Sequence, residues 1–174
     1  MIVLGLDPGY AIVGYGAIGR RVATIAKAFG MQVLVHNRSR INDDTVTQVS
    51  FDELLQRSDA VTMHCPLNAD SEKMMNAEAF GKMKDGAVFI NTARGAVIDE
   101  AALEPLCQEG KISAILDVFE VEPLPMDSKL RGLDNVIIVP HDGGPTIDVH
   151  HLVTLGLIDD VIKFFNGETV LENE

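Results

Sequence analysis

The sequence predicts a single α/β domain built on a doubly wound parallel sheet. Short apolar segments rich in β-branched residues alternate six times with segments of helical pattern. Such alternation builds right-handed β-α-β crossovers, and strands that are apolar on both faces are typical of a parallel sheet covered by helices on each side. A chain of 174 residues is long enough to bury one core of ordinary size. The predicted strands span residues 11–14, 32–36, 60–64, 87–90, 112–116 and 136–139.

The helices between these strands are predicted from the residues at their ends. Ser50 and Glu53 form a capping box, which opens a short helix that ends near Ser58. Asn and Asp side chains cap helix starts, and glycine ends helices because it adopts positive φ readily. On these grounds the other predicted helices span residues 18–29, 77–83, 100–109 and 147–165. Asn76 caps the second of these and Asp99 the third, in which Pro105 disturbs the middle. Asn166 and Gly167 follow the end of the last.

The charge of the chain argues against nucleic acid as a partner. Twenty-six acidic and fourteen basic side chains give a formal net charge of -12, and this charge repels a phosphate backbone. The main concentration of arginines, at Arg20, Arg21, Arg38 and Arg40, lies beside a glycine-rich segment in the sequence. This arrangement favours a small phosphorylated ligand.

The cysteines and the hydropathy favour a cytoplasmic protein with reduced thiols. The two cysteines, Cys65 and Cys107, form neither a C-x-x-C motif nor a disulfide framework. No apolar run approaches the ~20 residues that a membrane-spanning helix needs. The apolar stretch before Asp7 is too short for a secretory signal. We therefore expect a cytoplasmic location and no membrane partner.

The segment GYGAIG, residues 14–19, has the G-x-G-x-x-G spacing of a dinucleotide-binding loop. It follows a predicted strand and opens a predicted helix, and this context makes the short motif informative. Gly14 would allow the tight turn, Gly16 the approach of a pyrophosphate, and Gly19 the close contact of helix and strand. The free amides at the helix start, at Ala17 and Ile18, would complement the phosphate charge. The segment therefore predicts a Rossmann fold with a bound dinucleotide.

The end of the second predicted strand, VLVHNRSR, predicts which dinucleotide is preferred. An acidic residue about 20 positions after the glycine loop binds the ribose 2′-hydroxyl of NAD, and an arginine is found where a 2′-phosphate is bound. Here the position holds Asn37, followed by Arg38, Ser39 and Arg40. Guanidinium groups form charge-assisted hydrogen bonds with phosphate, so NADP is favoured over NAD. A solvated basic turn without a ligand stays as the alternative.

Three longer segments carry a resemblance to a known family. They are NTARGAVIDEAALEPL, ILDVFEVEPLP and NVIIVPHDGGPT, and they occur in the right order and with the right spacing. From about residue 11 to its end, the chain resembles the cofactor-binding domain of the D-2-hydroxyacid dehydrogenases, the family of glyoxylate and hydroxypyruvate reductases, phosphoglycerate dehydrogenase and formate dehydrogenase. The resemblance implies an oxidoreductase that transfers hydride between NAD(P) and a small 2-oxo or 2-hydroxy acid. It also implies a homodimer, because members commonly dimerise through this domain.

The resemblance implies three catalytic residues. Arg94 follows N-T-x and would pair with the substrate carboxylate and polarise the neighbouring carbonyl. Glu122 stands before the proline of D-V-F-x-x-E-P, and His141 follows the proline after the last strand. His141 would protonate the ketone oxygen while Glu122 holds its ring. The resemblance also assigns cofactor contacts to Cys65, Pro66, Thr92, Ala93, Asp117, His141 and Gly143, with Asp117 at the nicotinamide carboxamide.

The chain departs from the family before the glycine-rich loop. Family members carry a separate substrate domain there, whereas this chain has only residues 1–10. We expect residues 11–174 to form the dinucleotide-binding domain and residues 1–10 an atypical, replaced lead-in, with the substrate domain absent. An engineered or truncated chain is one hypothesis. A module that binds cofactor without turnover is the alternative function, because the second wall of the cleft orients substrate and excludes water.

Residues 1–18 also resemble the opening of the RuvC-type Holliday-junction resolvases, in which a hairpin strand carries a metal-binding aspartate, here Asp7. A second alternative is thus a Mg²⁺-dependent nuclease of the ribonuclease H type. It would combine Asp7 with distant carboxylates such as Glu72, Asp142 or Asp148. Residues 2–6 cannot pair with residues 11–15 as a hairpin if the first strand has parallel neighbours on both sides. Six predicted crossover units outweigh one predicted hairpin, so we favour the doubly wound sheet. We therefore expect no metal site. We interpret four histidines as structural: His36, His64, His150 and His151.

Overall fold

The computed structural model describes residues 8–144 and 146–168 of the chain. The chain divides into two compact units, residues 1–141 and residues 142–174. In the described part of the first unit, seven strands form one parallel sheet. The strands are β1 (Gly9–Val13), β2 (Gln32–His36), β3 (Thr47–Gln48), β4 (Ala60–Met63), β5 (Ala87–Asn91), β6 (Ile112–Leu116) and β7 (Val136–Ile138).

The strand order confirms the predicted doubly wound sheet. The order is β3-β2-β1-β4-β5-β6-β7, so the chain builds outward from β1 in one direction and then continues on its other side. The direction reverses between β1 and β4, and the carboxyl ends of strands at such a switch point form the crevice where ligands bind. The α/β prediction from alternating segments is therefore correct.

β1 lies inside this sheet with a parallel neighbour on each side. It pairs with β2 from Gly9↔Gln32 and with β4 from Tyr10↔Ala60. The strand begins at Gly9, before the predicted start at residue 11, because Gly9 and Tyr10 already pair with Gln32 and Val33 of β2. The amide of Gly9 also donates to Oδ2 of Asp59 (2.8 Å). Residues 9 and 10 of the expected lead-in therefore belong to the sheet, and residues 1–7 lie outside the described residues.

β3 is a strand that the sequence pattern does not predict. Its two residues are polar and exposed, so they carry no hydrophobic alternation. They join the sheet through backbone pairing with β2, at Leu34↔Thr47 and Val35↔Gln48. By contrast, the strands predicted at 32–36 and 112–116 match β2 and β6 residue for residue.

The predicted helix caps at Ser50 and Asn76 are confirmed. The α-helices in the described part of the first unit are α1 (Ala17–Ala28), α2 (Phe51–Arg57), α3 (Ala77–Phe80) and α4 (Glu100–Gln108), and residues Gly95–Val97 form a single 3-10 turn. The Ser50 side chain accepts a hydrogen bond from the amide of Glu53 (3.2 Å) at the start of α2. Asn76 accepts one from the amide of Ala79 (3.0 Å) at the start of α3. That helix ends at Phe80, short of the predicted residue 83.

The predicted cap of α4 is wrong. The Asp99 side chain makes no hydrogen bond to the helix start, and its carboxylate lies instead 3.9 Å from Nζ of Lys73. The amide of Glu100 donates to Oε1 of Glu120 (2.8 Å), which comes from the segment after β6. Pro105 does not end α4, because the helix runs through it to Gln108 and the Pro105 carbonyl accepts from the amide of Glu109 (2.9 Å).

The hydrophobic core lies on both faces of the sheet. Neighbouring residues of β1 enter different clusters, since Ala11 and Val13 pack on one face and Ile12 on the other. This alternation is the reason why the strands are apolar on both faces. The larger cluster includes Leu54, Phe80, Phe89, Leu103 and Leu116, and the smaller one includes Tyr15, Ala23, Ala26 and Val35.

The second unit contains α5 (Ile147–Phe165), whose bounds match the prediction. After the helix, Gly167 has a φ of 74° and its amide donates to the carbonyl of Phe164 (3.1 Å). A glycine at positive φ ends a helix in this way, as predicted. Among the described residues, no helix combines the length and apolarity needed to cross a membrane.

Candidate functional site

The glycine-rich loop joins β1 to α1 at the carboxyl edge of the sheet. Gly14 has a φ of 94°, and a Cβ atom built on it would lie 2.7 Å from the carbonyl oxygen of His64. A Cβ atom on Gly19 would lie 2.2 Å from the carbonyl oxygen of Gly14. Backbone contacts therefore exclude side chains at both positions, as a tight turn and a close helix–strand contact require.

Gly16 differs from its neighbouring glycines in having open space around it. Among the residues that the structure describes, no heavy atom beyond its own chain neighbours lies within 4 Å of a Cβ atom built there. Gly16 is the N-cap of α1, and within the described residues no side chain caps this helix start. Together with exposed Ala17 and Ile18, it presents backbone amides and the positive end of the helix dipole. A pyrophosphate group fits this geometry.

A pocket of about 490 Å³ opens beside this loop, between the segments that follow β2 and β4. Arg38 and Asp70 line it from these two segments and form an ion pair with 3.3 Å between Nη1 and Oδ2. Arg40 is exposed and lies outside the lining. Six of the predicted cofactor residues line the pocket: Gly14, Asn37, Arg38, Ser39, Cys65 and Pro66. These residues, distant in sequence, thus converge on one cavity.

Hydrogen bonds tie the segment after β2 to the glycine-rich loop. Oδ1 of Asn37 accepts from the amide of Tyr15 (3.2 Å), and its Nδ2 donates to the carbonyl of Ser39 (3.2 Å). The Tyr15 hydroxyl donates to Oδ2 of Asp43 (2.7 Å). Hydrogen bonds from Thr45 and Tyr15 lower the pKa of Asp43 to about 2, while burial and the bond to Asp43 raise the pKa of Tyr15 to about 12. The carboxylate is therefore ionised and the phenol neutral at neutral pH, which keeps this anchor in place.

A second group of predicted residues meets where β6 and β7 end. Nδ1 of His141 lies 2.7 Å from Oε2 of Glu122, and Oε1 of Glu122 accepts a hydrogen bond from the amide of Phe119 (3.0 Å). The bond from His141, followed by that from Phe119, lowers the pKa of Glu122, and the charge of Arg94 acts in the same direction. The carboxylate is thus ionised at neutral pH. It holds the imidazole through Nδ1, so Nε2 is the ring nitrogen left for another partner.

Arg94 is exposed on the loop after β5, and buried Asn91 braces that loop. Nδ2 of Asn91 donates to the carbonyl of Arg94 (3.0 Å), and its Oδ1 accepts from the amide of Ala93 (3.1 Å). A Cβ atom built on Gly95 would lie 1.8 Å from the carbonyl oxygen of Phe119, so the loops after β5 and β6 touch. The sequence does not single out Asn91 or Gly95, although both lie in the segment NTARG.

The remaining predicted residues lie close to strand ends or in the second unit. Asp117 directly follows β6 and is buried, and its amide donates to the carbonyl of Asn91 (3.0 Å). Thr92 directly follows β5 and is exposed. Asp117 and Thr92 therefore stand at the carboxyl ends of neighbouring strands, the edge where doubly wound sheets bind ligands. Gly143 belongs to residues 142–174.

Comparison with known families identifies this arrangement. Residues 9–143 match the family model described as D-isomer specific 2-hydroxyacid dehydrogenase, NAD binding domain. The chain belongs to this family. Its D-2-hydroxyacid dehydrogenase match begins at Gly9, the first residue of β1. The resemblance seen in the sequence segments around Arg94, Glu122 and His141 is thereby confirmed.

Individual members of the D-2-hydroxyacid dehydrogenase family agree with this assignment. The chain is 42% identical over 165 residues to 4-methyl-2-oxopentanoate reductase A of Aspergillus oryzae, covering 91% of this chain and 50% of that protein. It is 41% identical over 157 residues to hydroxypyruvate reductase of Thermotoga maritima, covering 87% and 51%. A D-isomer specific 2-hydroxyacid dehydrogenase from Xanthobacter autotrophicus, solved in complex with NADPH and MES, superposes with a TM-score of 0.88 at 33% identity, covering 94% of this chain and 69% of that one. The chain spans about half the length of the curated relatives it matches.

The D-2-hydroxyacid dehydrogenase assignment does not support the nuclease alternative, and the sheet argues against it too. Residues 10–13 of β1 pair with parallel strands on both edges, so an antiparallel hairpin partner has no edge to join. Within residues 8–144 and 146–168, no group of three or more His, Cys, Asp or Glu side chains could hold a metal ion. Asp7 and the side chain of Asp148 lie outside what the structure describes.

Proposed function

We propose that this domain binds a nicotinamide dinucleotide and takes part in hydride transfer between that cofactor and a small 2-oxo or 2-hydroxy acid of the glyoxylate or hydroxypyruvate type. One observation carries the proposal: the Glu122–His141 pair, 2.7 Å apart, lies at the same edge of the sheet as the open helix start at Gly16. A proton-transfer pair and a pyrophosphate site at one edge are what this reaction needs.

Arg94 would bind the carboxylate of the substrate. Its planar guanidinium presents parallel N–H groups to a carboxylate, and its charge stabilises the negative charge that develops on the neighbouring carbonyl oxygen. The side chain is exposed, so a substrate can reach it. The hydrogen bonds that Asn91 donates to the carbonyl of Arg94 and accepts from the amide of Ala93, with the close contact of Gly95, hold its loop in one position.

His141 would donate a proton from Nε2 to the ketone oxygen during reduction and accept it during oxidation. A bound reduced nicotinamide supplies the hydride. Glu122 holds the imidazole through Nδ1 and stays ionised, because its pKa is lowered by the hydrogen bonds from His141 and Phe119. An ionised partner stabilises positive charge on the ring while it holds the proton.

NADPH is the preferred cofactor in this proposal. Arg38 lines the pocket beside Asn37, and a guanidinium binds a 2′-phosphate more strongly than a hydroxyl group. The relative from Xanthobacter autotrophicus was solved with NADPH, whereas the family model is described as NAD binding. Support for NADP over NAD in this chain therefore comes from its own residues.

Calorimetric titration of the chain with NADPH and with NADH tests binding and preference together. We expect saturable binding of both, tighter for NADPH. Arg38→Ala should lower the affinity for NADPH about tenfold or more and change the affinity for NADH little. Arg57→Ala is the matched control, since it removes an exposed arginine outside the pocket lining. A preference unchanged by Arg38→Ala would refute the 2′-phosphate assignment, and the absence of saturable binding would refute the proposed function.

Turnover is tested by loss of NADPH absorbance with glyoxylate and hydroxypyruvate. His141→Ala should abolish oxidation of NADPH while NADPH still binds, because the proton donor is removed and the glycine-rich loop is untouched. The alternative is a module that binds the cofactor without turnover. Saturable NADPH binding without any oxidation would select that alternative.

A cytoplasmic homodimer completes the proposal. Cys65 and Cys107 are free thiols, as expected in a reducing compartment. The dimer is inferred from the family alone. Sedimentation velocity over a range of protein concentrations tests it, and a monomer at every concentration would contradict it.

A further inference from the structure

We propose that Asp70 is a specificity-determining residue that opposes binding of a 2′-phosphate at Arg38 and so sets the balance between NADPH and NADH. The inference rests on the proposed function, because it concerns the same dinucleotide pocket. Its basis is the ion pair between Nη1 of Arg38 and Oδ2 of Asp70, 3.3 Å apart, formed by two residues that line that pocket from different segments.

These two residues dominate the charge of the pocket. Of the described residues that line it, Arg38 is the one arginine or lysine and Asp70 the one aspartate or glutamate. The cation that favours a phosphate dianion is therefore neutralised by a carboxylate in the same lining. Any phosphate that reaches Arg38 must displace this carboxylate or approach it as a like charge.

The ion pair is not needed to hold the fold together. The side chains of Arg38 and Asp70 are 82% and 75% exposed, and ion pairs at such exposure contribute little to stability. The pair is therefore free to exchange for a ligand. Loss of the Arg38–Asp70 ion pair should therefore change the affinity for a cofactor more than the free energy of unfolding.

The backbone of Asp70 is held by bonds that do not use its carboxylate. Its amide and that of Ser71 donate to Oδ1 of Asn68 (3.0 and 3.1 Å), and the Ser71 hydroxyl donates to the carbonyl of Pro66 (2.6 Å). The amide of Asn68 in turn donates to the Ser71 hydroxyl (2.9 Å). Asp70→Asn therefore keeps this turn in place and removes only the charge.

NADPH and NADH differ in the phosphate that would compete with Asp70. NADPH carries a 2′-phosphate, and NADH carries a hydroxyl group at the same position. Removing the Asp70 charge should thus favour NADPH in two ways, by releasing Arg38 and by ending the repulsion of the phosphate. NADH should respond little because it brings no charge to this point.

Calorimetric titration of the wild-type chain and of three variants with each cofactor tests the inference. Asp70→Asn should raise the affinity for NADPH about three- to tenfold and leave the affinity for NADH within about twofold of the wild-type value. Asp70→Glu keeps the charge and should keep the wild-type ratio of affinities. Asp127→Asn removes the same charge from an exposed loop position outside the pocket lining and should also keep that ratio. The gain in Asp70→Asn should shrink at about 0.5 M salt, because screening weakens the repulsion.

The outcomes separate this inference from the function on which it rests. If the wild-type chain binds both cofactors and Asp70→Asn leaves their affinity ratio unchanged, the inference is overturned and the proposed function stands. An equal gain for both cofactors overturns it as well, since a general charge effect would explain that result. If the wild-type chain binds neither cofactor, the proposed function and the inference fail together.

Discussion

Gly95 lies directly against the backbone carbonyl of Phe119, so closely that a Cβ atom on the glycine would sit 1.8 Å from the carbonyl oxygen. The glycine follows Arg94, and the amide of Phe119 donates to Glu122 (3.0 Å). The loop that carries the arginine is thus pressed against the loop that holds the carboxylate of the Glu122–His141 pair. The spacing of the proposed catalytic groups depends on a residue that has no side chain.

We expect Gly95→Ala to lower the free energy of unfolding by about 1–3 kcal/mol or more, because the overlapping atoms belong to the backbone and cannot rotate away. Urea unfolding followed by circular dichroism measures this change. Gly16→Ala serves as the control, since in the described part of the chain no heavy atom beyond its chain neighbours lies within 4 Å of the added carbon. Equal stability of Gly95→Ala and the wild-type chain would contradict the close contact.

Gly16→Ala should separate binding from folding. Gly16 has φ and ψ of -79° and -162°, a conformation that alanine adopts without strain. We expect a smaller loss of unfolding free energy than in Gly95→Ala, since alanine is only a poorer N-cap residue than glycine. Affinity for NADPH and NADH should fall about tenfold or more, because the methyl group enters the space proposed for the pyrophosphate. Titration of this variant with both cofactors measures the effect. Wild-type affinity would show that the phosphates lie elsewhere.

The pH dependence of stability should reveal the Glu122–His141 pair. Hydrogen bonds from His141 and Phe119 lower the pKa of Glu122 in the folded state. A lowered folded-state pKa stabilises the fold above the unfolded-state pKa, and this contribution is lost as the pH falls through the folded-state value. His141→Ala should therefore lose less stability than the wild-type chain between about pH 6 and pH 3. Urea unfolding across this range measures both curves, and parallel curves would argue against the pair in solution.

The start of α4 offers a comparison of two carboxylates. Oε1 of Glu120 accepts a hydrogen bond from the amide of Glu100 (2.8 Å). The Asp99 side chain makes no such bond to the helix start, and its Oδ1 lies 3.9 Å from Nζ of Lys73. Glu120→Ala should cost about 1 kcal/mol of unfolding free energy, as other lost helix caps do. Asp99→Ala should cost less, because the pairing that it loses is partly exposed. Thermal or urea unfolding ranks the two, and the reverse order would restore Asp99 as the cap.

Local patterns predicted the elements that depend on neighbouring residues. Ser50 caps α2 as the capping box indicates, because the side chain and the amide that it binds are three positions apart. Asp99 meets the same local rule, yet its predicted role as a cap is wrong, because the carboxylate of Glu120 accepts the amide of Glu100 at the helix start, 20 positions away. β3 was not predicted for a related reason, because its pairing with β2 is made by backbone groups that carry no sequence signal.

The candidate site was predicted only in part, because some of its contacts join residues that are distant in sequence. The resemblance assigned Glu122 and His141, and the structure brings them together. It did not single out Asn91, whose buried amide shapes the loop of Arg94 through bonds to backbone atoms. Nor did it connect Arg38 with Asp70, because the two residues belong to different crossover units. Their roles in catalysis and cofactor binding stay predictions that the experiments above decide.

The sequence by itself determined the parallel α/β sheet and the place of the glycine-rich loop, because hydrophobic periodicity and backbone sterics act over a few neighbouring residues. Only the tertiary structure decided which groups face one another across loops, such as Arg38 with Asp70 and Gly95 with Phe119. Such contacts form when parallel strands bring their carboxyl ends to one edge. Their partners are chosen by the packing of the whole sheet, which no short segment of the chain encodes.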